Sequence, residues 1–126
     1  MPRESISMSD AELTAFLDQQ SWMLLVTLDL SGAPTATLVR AAREGDRMLF
    51  ELPEDDEAAG NLQRDPRACL ANDEYPAYYE IRGATLHGEA APVADARGLG
   101  DGGRRVYALG LDDVVSFDFA KIKNKY

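Results

Sequence analysis

Hydrophobic positions fall with two different periods along this chain. Leu13, Phe16 and Leu17 recur at helical spacing and share one face. Ser9 stands just ahead of them and Glu12 three residues later, a capping box that predicts a short helix ending near Gln20. Met8 and Leu13 are placed to staple its entry. From Trp22 to Leu28 the run is almost continuously apolar, too short and too β-branched for a second helix, and predicts a buried strand. The turn Leu30-Ser31-Gly32-Ala33-Pro34 leads into a second strand over 35–43. Glu44-Gly45-Asp46 then turns into a third over 47–52, which makes an antiparallel meander.

After Pro53 a second short helix is predicted, with Asp55 or Asp56 as its cap. Ala58, Ala59 and Leu62 form its inner face, and Pro66 stops it. A fourth strand covers 67–72, and Asp73-Glu74-Tyr75-Pro76 turns into a long fifth strand over 78–92 that Gly83 and Gly88 bend. Residues 94–110 hold five glycines with little periodicity and predict a loop, or a weak helix over 104–109. In the last strand, 114–122, Val115, Phe117 and Phe119 alternate with Ser116 and Asp118. Six strands, with one helix ahead of the meander and one in the middle, predict a mainly β fold: an antiparallel barrel with peripheral helices. No repeat or linker divides the chain, so residues 1–126 are expected to form a single domain.

Composition narrows the function. A chain of 126 residues buries roughly two-thirds of its extended surface and needs no staples. The 22 acidic and 13 basic residues give a net charge of −9, which disfavours nucleic acid and anionic membranes as partners. A lone cysteine, Cys69, excludes an intrachain disulfide. With no signal-peptide pattern at the start and no long apolar run, a cytoplasmic protein is expected.

Four segments, in order, resemble the FMN-binding split barrels related to pyridoxamine 5′-phosphate oxidase. More narrowly, they are similar to the short bacterial branch that includes deazaflavin-dependent reductases. They are Asp29-Leu30-Ser31-Gly32-Ala33-Pro34 after the first strand, Asn61-Leu62-Gln63-Arg64-Asp65-Pro66-Arg67, Tyr79-Glu80-Ile81-Arg82-Gly83 with Gly88 beyond it, and Val115-Ser116-Phe117-Asp118 running on to Lys121. The resemblance implies a six-stranded antiparallel split barrel that forms a homodimer. It implies FMN or a deazaflavin in a cleft between subunits, and hydride transfer to a small-molecule substrate. The contacts it implies are Thr35, Thr37, Val39 and Arg40 on the second strand and Phe50, Glu51 and Leu52 on the third. Asn61 and Arg64 would follow on the middle helix, and Tyr78 would reach the partner's site. Part of the ring contact would come from backbone.

One element departs from the family. Its Ser/Thr-x-Lys phosphate grip falls on Asp56, Glu57 and Ala58, and Glu51, Glu54, Asp55, Asp56 and Glu57 put five carboxylates in seven residues. Two unit charges about 5 Å apart repel by roughly 3 kcal/mol at an effective dielectric near 20, so a phosphate facing them loses two to three decades of affinity. The alternative is therefore a non-catalytic split-barrel dimer that has lost the phosphate and acts as a ligand-binding or interaction module. Cys69 with His87, the only histidine, is a conceivable nucleophile–base pair, but a core thiol and an edge imidazole are the simpler reading. With one histidine and one cysteine, a zinc site is not expected. Glu54, Asp55, Asp56 and Glu57 read as a solvated helix start rather than a cation site.

Overall fold

The computed structural model describes residues 5–74 and 80–123. Helix α1 (Asp10–Asp18) starts at the capping box. Glu12 N–H donates to the Ser9 hydroxyl at 3.2 Å, and Ser9 N–H donates to Glu12 Oε1 at 2.9 Å. Strands β1 (Trp22–Leu28), β2 (Pro34–Glu44) and β3 (Arg47–Pro53) make the expected antiparallel meander. Helix α2 (Glu57–Arg64) follows, and β4 (Arg67–Glu74) returns to pair with β1.

The second half corrects the count from six strands to eight. The long fifth strand is two: β5 (Arg82–Glu89), paired with β4, and β6 (Ala91–Val93), which belongs to a different ladder. The break lies at Ala90, whose N–H donates to Pro66 O at 2.8 Å at the end of the β4–β5 ladder. The expected start of that strand, at Tyr78, lies outside the described residues. The expected loop or weak helix over 104–109 is instead β7 (Arg104–Gly110), the partner of β3 over its whole length. The last strand is shorter than expected. β8 (Val114–Asp118) stops where Asp118 Oδ1 accepts the Ala120 N–H at 3.0 Å and starts the short helix α3 (Ala120–Lys123).

The strand order is β6-β7-β3-β2-β1-β4-β5-β8. Gly83 and Gly88 allow close approach. A Cβ at Gly83 would sit 2.8 Å from the Asn72 carbonyl oxygen, and one at Gly88 would sit 3.2 Å from a Leu109 methyl. The second contact brings β5 against β7 and closes the barrel. Inside it, Met23, Leu25, Met48, Phe50, Leu52, Leu70, Leu86 and Leu109 are fully buried.

The barrel has two apolar outer faces. Outside β3 and β7, Leu49 and Val106 form a second buried cluster with Leu99 of the glycine-rich segment. Outside β2, β1, β4, β5 and β8, cross-strand partners line up as Leu38, Leu24, Ala71, Thr85 and Val115. There Leu38 is 63% exposed, Val115 62%, Trp22 50% and Leu24 42%.

Candidate functional site

The register of β2 sets the site. Residues 34–40 are laddered to β1, but only 41–44 are laddered to β3. Past Ala41 and Phe50 the two strands part. The 35–40 edge of β2 and the 51–53 edge of β3 then face each other without a shared ladder, while 51–53 stay bonded to β7 on the other side. A split of this kind offers backbone donors and acceptors to a flat heterocycle.

One polar cluster closes the end of that opening. Asn61 Nδ2 of α2 donates to Thr27 Oγ1 at 3.1 Å and to Thr35 Oγ1 at 3.4 Å, and the two hydroxyls lie 3.3 Å apart. An Arg64 guanidinium nitrogen donates to Asn61 Oδ1 at 2.8 Å and to Leu28 O at 3.3 Å. Thr35, Asn61 and Arg64 are thus brought together, and Thr27 joins them. Its sequence signal was only a hydroxyl in an otherwise apolar run.

The remaining expected contacts separate. Thr37 and Val39 alternate with Arg40 along β2; Val39 points into the core, and Arg40 lies on the outer face opposite Trp22. Phe50 and Leu52 are fully buried, so their side chains belong to the core and only their backbone meets the opening. Glu51 is buried with its carboxylate held by Arg104 Nε at 3.0 Å and by Gly100 N–H at 3.3 Å. That removes Glu51 from the acidic patch. Tyr78 lies outside the described residues, as do Tyr75 and Tyr79.

The start of α2 is closed to an anion. Asp56 is the N-cap, and its Oδ1 accepts the Ala58 N–H at 2.8 Å. Ala58, which falls at the lysine position of the grip, is buried in the core. A recess of about 440 Å³ on the far side of the helix is lined by Asp29, Ser31, Glu57, Asn61 and Arg64, with Leu30 and Gly60. Ser31 Oγ donates to Asp29 Oδ1 at 2.6 Å, and that bond leads the causes that lower the Asp29 carboxyl.

Cys69 and His87 are direct cross-strand partners. Burial pushes the Cys69 thiol up, which is the wrong direction for a nucleophile at neutral pH. Among the described residues, no three His, Cys, Asp or Glu side chains converge to hold a metal, and no helix is long and apolar enough to cross a membrane.

Residues 9–123 match the pyridoxamine 5′-phosphate oxidase family. The chain belongs to that family. No curated protein matches its sequence. Among solved structures it is similar to the conserved hypothetical protein Rv2991 from Mycobacterium tuberculosis, with a TM-score of 0.83, 22% identity and coverage of 98% of this chain and 92% of that one. It is also similar to an FAD-binding protein from Mycobacterium smegmatis, with a TM-score of 0.74, 12% identity and coverage of 88% and 97%. An FAD-binding protein from Mesorhizobium loti gives a TM-score of 0.72 at 12% identity, covering 89% of this chain and 94% of that one. At these identities the likeness concerns the fold. Within the pyridoxamine 5′-phosphate oxidase fold, the β2–β3 edges leave backbone groups outside a shared ladder. The start of α2 does not fit a phosphate, because Asp56 already occupies it.

Proposed function

We propose that this family member is a homodimeric oxidoreductase that binds a flavin or deazaflavin, with the ring at the β2–β3 opening. The observation that carries the reading is the parting of β2 from β3 beyond Ala41 and Phe50. FAD binding by the M. smegmatis and Mes. loti relatives supports a flavin. Such a cofactor supplies hydride transfer, and the protein supplies orientation and a dry cleft. Backbone of 35–40 and 51–53 would orient the ring. Arg64, in a recess that Asp29 and Glu57 also line, is the cation available to a phosphate in place of α2. The single domain expected over residues 1–126 is part of this proposal.

The dimer reading rests on the bare face carrying Trp22, Leu24, Leu38 and Val115. Apolar surface on that scale marks an interaction site, and a face that repeats on an identical chain suits a two-fold contact.

The test is a titration of purified protein with FMN, a deazaflavin and riboflavin, read by visible absorbance. Low-micromolar binding of one of them is expected. Arg64→Gln should weaken FMN about tenfold, the value of one charge-assisted hydrogen bond, and leave riboflavin unchanged. The closed start of α2 favours a second reading, a dimer that has lost its cofactor and serves as a binding module. No binding of any of the three at high micromolar concentration would establish that reading and remove the first.

A further inference from the structure

The largest cleft described is not the β2–β3 opening. It measures about 940 Å³ and lies between α2 and the β6–β7 pair, and no residue of β2 or β3 lines it. Its two ends are tied by backbone. Ala90 N–H donates to Pro66 O at 2.8 Å, and Glu54 N–H donates to Gly103 O at 3.2 Å. The cleft is therefore part of the framework rather than a gap between loops.

Its chemistry is sorted by depth. Tyr107 is only 5% exposed and stacks on Phe50, with ring centroids 5.4 Å apart and planes 15° from parallel. Among the described residues its hydroxyl has no hydrogen-bond partner, and no fully buried side-chain oxygen or nitrogen is left unpaired. The hydroxyl therefore opens into the cleft that Tyr107 lines. Burial raises this phenol above its ordinary value; nearby Arg105 opposes the rise and Glu54 adds to it. It is therefore a neutral hydrogen-bonding group. Leu62, Ala59 and Pro92 supply apolar wall. The rim carries Glu54, Asp55, Asp56 and Glu89 against one cation, Arg105. Arg105 lies 3.9 Å from Glu54, Asp56 is spent on the helix cap, and Glu89 faces Arg67, which Asp65 already holds, so Asp55 and Glu89 keep the rim negative.

We propose that this cleft is a second ligand site, for a small organic cation. Its ammonium would meet the Asp55 and Glu89 rim, its apolar body the Leu62 and Pro92 walls, and a hydroxyl at its far end the Tyr107 oxygen. An anion is repelled at the rim. A bare metal ion is not suited either, because the rim carboxylates do not converge on one point. The site stands apart from the flavin reading, since it uses none of the residues assigned to the ring.

Tyramine, which carries an ammonium and a phenol on an apolar body, is the probe. Binding is followed by amide chemical shifts in the 126-residue chain at pH 7, with 3-(4-hydroxyphenyl)propionate as the anionic match. Tyramine should bind in the sub-millimolar range and shift residues of α2 and β7, and the propionate should not. Tyr107→Phe should weaken tyramine about fivefold without changing phenethylamine, which lacks the hydroxyl. Asp55→Asn with Glu89→Gln should weaken both amines about tenfold and flatten their salt dependence. Equal binding of amine and propionate, calcium binding in place of the amines, or shifts elsewhere on the surface would each overturn the proposal. FMN and riboflavin titrations of Tyr107→Phe read the β2–β3 opening separately, so either reading can fail alone.

Discussion

Two outer faces of one barrel are apolar, and the described residues cover only one of them. Outside β3 and β7, Leu49 and Val106 are sealed beneath the glycine-rich segment, with Leu99 inserted as the contact. Arg104 and Gly100 bind the buried Glu51 carboxylate and hold that segment down. Outside β1 and β2, Leu24 and Leu38 face out beside Trp22 with nothing of the described chain over them. The difference separates two roles for surface apolar residues. Where a chain needs them for its own stability it supplies a cover, and where they are left bare in a row they suit a second copy.

The largest effect expected is on the bare face. Leu38→Asp places a carboxylate on it, and a two-fold contact meets the change twice, at about 2 kcal/mol each. Dimer affinity should fall by about three decades in sedimentation, with the unfolding midpoint of the monomer nearly unchanged. A wild type that sediments as a monomer at high micromolar concentration breaks the comparison outright. On the covered face the pattern should reverse. Leu99→Ala should cost about 3 kcal/mol in urea unfolding through the cavity it leaves, with no change in association. Arg104→Ala should cost less, about 1 to 2 kcal/mol, because Glu51 is left buried without its partner while Arg104 itself is half in water. A loss of dimer in either variant would mean that the two faces are coupled.

The smallest effect lies on neither face. A hydrogen bond from Lys121 of α3, helped by bonds within the capping box, pulls the Glu12 carboxyl from 4.5 to about 2. The folded value is depressed, so this contribution is full above about pH 4.5 and fades as pH falls through about 2. Acid unfolding should therefore begin at higher pH in Lys121→Met than in wild type, with equal association at neutral pH. Identical acid profiles would show that the contact between α1 and α3 carries no pH-dependent stability.

Elements buried on one face were legible in the sequence. The capping box placed α1, and the meander and the Asp56 cap fell where the residues indicated. The miss at β7 has a definite cause. Tyr107 and Leu109 pack inward while Val106 packs outward under Leu99, so burial on both sides erases the alternation that marks a strand. The segment before it, rich in glycine, reads as loop for the same stretch. The acidic run from Glu51 to Glu57 looked like one patch because spacing carries no direction. The fold turns Glu51 toward Arg104, gives Asp56 to the helix and leaves Glu54 and Asp55 on a cleft.

Local residue order determined α1, α2, the β1–β3 meander, the overall negative charge and the family resemblance, because caps, turns and periodicity act within a few residues of one another. Tertiary structure alone decided the rest. It paired β3 with β7, parted β2 from β3, joined Thr27 and Thr35 to Asn61, and set Tyr107 at the floor of an acid-rimmed cleft. Each of these depends on which face of a strand meets which distant segment, and that is fixed only when the barrel closes.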